Sequence, residues 1–324
     1  MARDADRYAL VADIGGTNTR VALAEGLDLV PGTVKRFRNA DYPGLETVLR
    51  EFLAAEDDVD CAGACVAVAG PVRDGVGVMT NLDWRIDAAT LAQATRAEKV
   101  SILNDLQAQG FALPHLSPDN LRPVVAMPDA PADATRLVVG AGTGFNAAPV
   151  YHTRRGRLVA PSESGHANMP IRNDADLRLA RFVETAHGFP GIEDVLAGRG
   201  LERIYAWLGH EAGAVHEVRA AEIMAALAEG SDPRAEETAR VYVRILGSVV
   251  GNLALTLLPF GGIYLIGGVA TAFAPYLDRF GFADAFRDKG RFAGFMQNFG
   301  VSVVADDYAA LTGCASHLVE LDEV

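Results

Sequence analysis

The chain has 324 residues, half of them hydrophobic and 33 of them glycine, enough for one large or two ordinary domains with a buried core. Its formal net charge of −13 argues against a nucleic-acid partner, because affinity for a phosphate backbone comes from Lys and Arg. Three cysteines, Cys61, Cys65 and Cys314, form too sparse and odd a set for a disulfide framework and suit a reducing cytoplasm. The apolar setting of Cys61 and Cys65 favours structural thiols over metal ligands. The polar start, Met1–Arg7, suggests no secretory leader.

The first informative stretch is Leu10 to Leu23, two apolar runs around Gly15-Gly16-Thr17, which predicts a β-hairpin. Glycine lets backbone N–H groups approach a ligand closely. Asp13 stands just before the turn, where its charge would repel a phosphate unless a divalent cation lay between them. Magnesium binds in that way, through one or two carboxylates plus phosphate oxygens. A nucleotide phosphate site with Mg²⁺ and a plain β-hairpin both fit this stretch alone.

Val34 to Phe37 reads as a third strand. Leu45, Val48, Leu49, Phe52 and Leu53 share one helical face. Ala62 to Ala69 predicts a buried strand ending at Gly70-Pro71, and Val76 to Met79 a short one, followed by the loop Thr80 to Trp84. A helix over Ala88–Thr95 leads to the strand Val100–Leu103, then to Asn104-Asp105 and a helix over Leu106–Leu113. Asp105 at that strand end has two readings. It is a carboxylate placed to take a proton in phosphoryl transfer, or a helix N-cap.

Pro114 to Thr135 is turn-prone and reads as a passage between two lobes. Leu137 to Val150 then repeats the opening plan, with an apolar strand, Gly142-Thr143-Gly144 and a second apolar strand, which suggests a duplicated architecture. Asp174–Thr185 and Ile192–Leu208 read as helices. Ser231-Asp232-Pro233 starts another, running from Arg234 to about Leu258. The apolar run Ser248–Ala274 contains Asn252, Pro259 and two glycine pairs. It therefore divides into a helix end and the strand Ile263–Ile266 rather than crossing a membrane. Gly267-Gly268 offers a loop beside which an adenosine would lie, and a strand at Val301–Val304 and a helix over Tyr308–Leu318 close the chain.

No G-x-x-x-x-G-K-[S/T] is present, Gly140 to Phe145 lacks the last glycine of G-x-G-x-x-G, and no H-R-D with D-F-G occurs. What remains is two glycine hairpins and a distant glycine pair, a set that resembles the hexokinase–actin–heat-shock chaperone superfamily. Within it the chain is most similar to the bacterial glucokinase family. The matching stretches are Leu10–Leu23, Ala69-Gly70-Pro71, Thr80-Asn81 with Trp84, Leu103-Asn104-Asp105, Gly140–Gly144, Glu163 with Gly165-His166, Glu193 with Leu196 and Gly198, and Gly261–Gly268. A related repressor–kinase branch carries a cysteine-rich zinc motif, which these three cysteines do not supply.

The resemblance implies an α/β, two-lobed ribonuclease-H-like or actin-like ATPase fold with a cleft between a smaller lobe (1–115 plus 304–324) and a larger one (116–303). It implies ATP-dependent phosphorylation of the glucose 6-hydroxyl, with Asp105 as general base and Asn104, Asp105, Glu163, His166 and Glu193 holding the sugar. ATP would be held by Ala12, Asp13, Ile14, Gly15, Gly16, Thr17, Asn18, Gly142, Thr143, Gly144, Gly267 and Gly268, with Asp13 as the Mg²⁺ anchor. A cytoplasmic homodimer without nucleic-acid or membrane partners is the matching expectation. Phe145-Asn146 stands where Leu-Gly is usual, Ser164 where glycine is common, and Ala167-Asn168 where an apolar-Asp pair is typical. These departures leave open another hexose such as mannose, fructose or an amino sugar. A sugar- and nucleotide-binding regulator without turnover is a further reading, against which the intact Asp105 argues. Ser162 and Ser164 near His166 raise Ser/His chemistry, but the G-x-S-x-G elbow is missing.

Overall fold

The two apolar runs of Leu10–Leu23 become β1 (Ala9–Ile14) and β2 (Asn18–Glu25), antiparallel with Asp13 opposite Arg20. The computed structural model describes residues 8–79 and 82–322; Thr80-Asn81, part of the resemblance, lies outside the described residues. Two short strands, β3 (Asp28–Leu29) and β4 (Lys35–Arg38), pair with the outer side of β2. Helix α1 (Leu45–Ala54) buries the five apolar residues that its periodicity marks. Strand β5 (Gly63–Val68), buried at every position, runs parallel to β1. A small meander follows, of β6 (Val72–Arg73), β7 (Val76–Val78) and β8 (Arg85–Asp87). The Asp87 side chain then accepts a hydrogen bond from Thr90 N (2.8 Å) and starts α2 (Ala88–Thr95). Strand β9 (Lys99–Asn104) is parallel to β5 and feeds directly into α3 (Asp105–Ala112).

The next part of the chain repeats this plan. Strands β10 (Leu121–Val125), β11 (Arg136–Ala141), β12 (Phe145–Thr153) and β13 (Gly156–Val159) come first. Five helices follow, α4 (Asp174–His187), α5 (Glu193–Leu196), α6 (Gly198–Glu211), α7 (Ala220–Glu229) and α8 (Pro233–Leu257). Then come β14 (Ile263–Ile266), α9 (Gly268–Phe273), α10 (Phe282–Arg287) and β15 (Val301–Val304). Strand β11 is antiparallel to β12 and parallel to β14, which is parallel to β15. β1 stands in the same relation to β2, β5 and β9. One hairpin-plus-parallel-strand topology is thus used twice, as the two glycine hairpins suggested.

Two units divide the chain. The first comprises the chain through Ser117, His152–Pro161 and the chain from Asp306; the second comprises Pro118–Tyr151 and Ser162–Ala305. Each has its own apolar core. The segment His152–Pro161, which the division read from sequence leaves with the larger lobe, groups with the first unit. Its Arg157 guanidinium bonds to Phe111 O (2.7 Å), Ser316 Oγ (2.6 Å) and the Glu320 carboxylate. In the second unit α8 is long and apolar enough to span a membrane, yet 61% of its most apolar window is buried against protein. Tyr242 on α8 stacks on Phe273 at 4.3 Å and donates to Leu196 O (3.0 Å). Cys61, Cys65 and Cys314 are free and buried, and burial pushes the Cys61 thiol up to about 11.

Two expectations need correction. Pro114–Thr135 is not all turn: it contains β10, antiparallel to β15 with a register shift between Pro123 and Val125. Proline cannot donate to a ladder, so Pro123 hid an edge strand. The single helix expected over Ile192–Leu208 is two, α5 and α6, because Ala197 is extended (φ −84°, ψ 175°) and Gly198 N donates to Gly142 O (2.9 Å) instead. Helices α7, α9 and α10 had no counterpart in the sequence reading.

The C-terminal helix α11 (Ala309–Asp322) packs on α3 within the first unit. Gly313 makes the close approach possible, since a Cβ there would lie 1.8 Å from Ala108 O and 3.2 Å from Ala112 N. Gly313→Ala is expected to lower stability by about 3 kcal/mol, the upper part of the usual overpacking range. A urea midpoint unchanged from wild type would contradict this packing.

Candidate active site

In the first unit the site is built at the C-terminal ends of three parallel strands. Ile14, Val68 and Asn104 lie in register across β1, β5 and β9. Strand ends of this kind are where open α/β sheets bind ligands. The turn after β1 is closed by Gly15 N donating to Asn18 O (3.0 Å). Asn39, 1% exposed, braces it from below: its Nδ2 donates to Gly15 O (2.7 Å), and its Oδ1 accepts from Thr19 Oγ1 (2.8 Å). Sequence reasoning missed Asn39, since it lies beyond β4 and nothing local marks it. Gly16 and Thr17 are exposed at the turn tip, while the Ala12 and Ile14 side chains are wholly buried. Those two residues have only backbone to offer a nucleotide.

Asp13 projects from β1 with Arg20 Nη1 at 3.4 Å. Burial raises its carboxyl above the ordinary range, and Arg20 opposes that shift. Asn104 ends β9 and caps α3, its Oδ1 accepting from Leu106 N (3.0 Å) and its Nδ2 donating to Gly70 O (3.0 Å). Asn104 rather than Asp105 is therefore the N-cap. The same side chain also takes the Gln107 backbone N–H in a capping box, with the Gln107 side chain returning a bond to Asn104 N, so the amide is held in one orientation beside Asp105.

Asp105 opens α3 and accepts from Leu106 N (2.9 Å). Its carboxyl is pushed up to about 6, first by burial and further by the negative charge of Asp13, with the Leu106 N–H pulling it back. A carboxylate near 6 is well matched to proton acceptance around neutral pH. Asp13 suits Mg²⁺ as a single partly desolvated carboxylate beside a phosphate-type turn, since magnesium keeps several waters and takes few protein ligands. No cluster of three or more ligating side chains occurs among the described residues.

In the second unit the turn between β11 and β12 carries Gly142, Thr143 and Gly144, with Gly142 N donating to Gly144 O (2.9 Å). Gly140 pairs with Ile266, which brings the end of β14 alongside. Gly267 follows at φ 97°, and a Cβ there would lie 2.5 Å from Ala141 O. The glycine pair Gly267-Gly268 and the glycine turn are therefore neighbours.

Three of the side chains expected to hold a sugar, Glu163, His166 and Glu193, also meet in this unit. A short ladder joins the Glu163–Met169 loop to the start of α5: Met169 N donates to Pro190 O (2.9 Å) and Ile192 N to Ala167 O (2.9 Å). It brings Glu163 and His166 to the neighbourhood of Glu193. Glu193 Oε2 accepts from Phe145 N (2.8 Å), and Glu163 Oε2 lies 3.7 Å from His166 Nε2. Gly144 and Gly165 leave room for these groups, because a Cβ on Gly144 would lie 2.7 Å from Glu193 Oε2 and one on Gly165 1.9 Å from Phe145 O. Ser162 Oγ donates to Ala147 O (2.7 Å), and Ser164 Oγ bonds to Asn146 (3.1 Å). Both serines thus serve β12 rather than a Ser/His nucleophile. The first unit gathers the Gly15–Thr17 turn with Asp13, Asn104 and Asp105; the second gathers Gly142–Gly144 and Gly267-Gly268 with Glu163, His166 and Glu193.

A sequence model of the family described as Glucokinase matches residues 10–321. A glucokinase of Marinobacter nauticus is 33% identical, covering 97% of this chain and 98% of its own. One from Erwinia tasmaniensis is 31% identical, covering 96% and 97%. The crystal structure of a glucokinase from an Antarctic psychrotroph superposes with a TM-score of 0.87 at 30% identity, covering 96% of this chain and 98% of the other. The fold is thereby that of the sugar kinases with the actin-like ATPase architecture. The chain belongs to the glucokinase family.

Proposed function

We propose that this protein transfers the γ-phosphoryl group of ATP to the 6-hydroxyl of glucose, giving glucose 6-phosphate and ADP, with Asp105 as general base. Asp105 is the observation that carries the reading: a desolvated carboxylate at the ends of parallel strands, beside an amide that the fold holds in one orientation. In its ionised form it accepts the proton of the attacking hydroxyl as the oxygen closes on phosphorus. Asn104, Asp105, Glu163, His166 and Glu193 orient the sugar by pairing with its hydroxyls, a mode that rejects analogues because buried groups are left unpaired.

The Gly15–Asn18 and Gly142–Gly144 turns hold the phosphates through the backbone N–H groups that their closing bonds leave open, with Ala12 and Ile14 contributing backbone at most. Gly267 and Gly268 border the nucleoside. Asp13 would hold Mg²⁺, which when bound would supply neutralisation of the phosphate charge. Three free, buried thiols suit a cytoplasmic enzyme. A homodimer is the matching assembly, which analytical ultracentrifugation tests.

A coupled ADP-release assay over a panel of hexoses tests the activity. Turnover centred on glucose is expected, and turnover on a different hexose alone would reassign the substrate. Hexose-induced thermal stabilisation without turnover would make the protein a regulator. The pH profile follows from Asp105: the base works only when ionised, and its carboxyl titrates at about 6. Glucose kcat/KM is therefore expected to rise with pH through about 6 and level off above it. A profile flat from pH 5 to 8 would exclude Asp105 as the base.

A further inference from the structure

The two departures from the family pattern at Asn146 and Ser164 are in contact. Asn146 Oδ1 accepts from Ser164 N (3.0 Å) and Ser164 Oγ (3.1 Å). Its Nδ2 donates to Ser162 O and reaches Glu163 Oε2 at 3.3 Å. One amide therefore grips the backbone on either side of Glu163 and touches the carboxylate itself. Glycine, the residue the resemblance leads one to expect at 146, would do none of this.

Glu163 needs such a hold. Its side chain is 66% exposed and its other neighbour, His166, is 67% exposed at 3.7 Å, a separation and exposure at which an ion pair contributes little. The preceding residue does the same for the other acid, since Phe145 N donates to Glu193 Oε2. The first two residues of β12 thus position both acids, and only the Asn146 half of the arrangement depends on a side chain.

We propose that Asn146, paired with Ser164, is a positioning residue that sets the orientation of the Glu163 carboxylate and thereby the selectivity among hexoses. The inference rests on the reading of Glu163 as a sugar ligand. A carboxylate held by an amide donor presents its remaining lone pairs in one direction, so hydroxyls of the wrong configuration go unpaired. A carboxylate free to rotate follows the hydroxyl wherever it lies, with weaker binding and less discrimination.

Asn146→Gly removes the amide, and Asn146→Asp keeps its volume but turns an acceptor toward Glu163. Both are to be assayed beside wild type and Ser164→Gly, with glucose, its epimers and its deoxy analogues. The expected result is an increase in the glucose KM of about tenfold, the size of effect that a lost hydrogen bond to a charged group produces. The kcat/KM ratio of glucose to its best competitor should narrow by a similar factor, with the ATP KM held within twofold. Because the pair acts as a unit, Asn146→Gly/Ser164→Gly should be no worse than Asn146→Gly alone. A folded Asn146→Gly or Asn146→Asp enzyme with the wild-type glucose KM and hexose profile would overturn the proposal. If Asn146→Gly does not fold, Asn146→Asp decides it on the same criteria. A wild-type protein that turns over no hexose would instead overturn the assignment of function, a result separate from the behaviour of the variants.

Discussion

Asp105→Asn is expected to lower kcat by about 10²- to 10⁴-fold, the usual size of a general-base contribution, while leaving the protein at least as stable as wild type. Asparagine has the volume of aspartate and keeps an oxygen for Leu106 N, so the start of α3 is preserved. What it removes is a carboxylate that the fold resists ionising. The sign follows from the carboxyl titrating at about 6 in the folded protein against an ordinary 3.8. Between these values the folded state binds more proton than the unfolded chain, so this group's contribution to stability falls as pH rises through that window. Above pH 6 wild type carries the full cost of a buried charge beside Asp13, and the variant does not. The melting temperature of Asp105→Asn should thus exceed that of wild type most clearly at pH 8, and the gap should narrow toward pH 4. Coupled turnover assays and thermal unfolding at both pH values test the pair of effects. A folded variant with near-normal turnover would remove Asp105 from the chemistry.

Gly165→Ala should reduce glucose kcat/KM by about 10²-fold, the cost of displacing reacting groups by about 1 Å. The added methyl would lie 1.9 Å from Phe145 O, 3.0 Å from Phe145 C and 3.4 Å from Glu193 Cβ. None of these is the loose end of a flexible side chain. Phe145 is tied into the ladder opposite Ala141, so either β12 yields or the loop carrying Glu163 and His166 moves away. Each outcome displaces the acids proposed to bind the sugar, because Phe145 N holds Glu193 and the loop holds Glu163. Stability should fall by about 1–3 kcal/mol, as for other overpacked sites. Steady-state kinetics with glucose, read beside a urea unfolding curve, separates the two effects. A kcat/KM within twofold of wild type would show that Gly165 does not set this geometry.

Much of the architecture is legible in the sequence. Leu10–Leu23 and Leu137–Val150 encode their hairpins locally, through apolar runs around glycine turns. The apolar face of Leu45–Leu53 likewise marks α1. At Asn104-Asp105 the local sequence leaves a proton-accepting carboxylate and a helix cap equally open, and the cap is Asn104. Pro123 concealed β10, whose pairing comes from β15 nearly 180 positions later. The break at Ala197 was equally invisible, since the Gly198 N–H that ends the helical run is taken by Gly142 O, some 56 residues earlier in the chain.

The sequence by itself determined the two glycine turns, because turn chemistry and apolar runs depend on residues that are neighbours in the chain, and the family resemblance it carries singled out Asp13, Asp105, Glu163, His166 and Glu193 as candidates. Only the tertiary structure decided how these residues are tuned and held. Parallel pairing of β1, β5 and β9 brings Asp13 close enough to raise the Asp105 carboxyl. The loop ladder brings Glu163 toward Glu193, and β12 supplies the hydrogen-bond donors that hold both. Desolvation and hydrogen-bond partnership arise from segments far apart in the chain, so no local pattern records that Asn39 braces the first turn or that Asn146 grips Glu163.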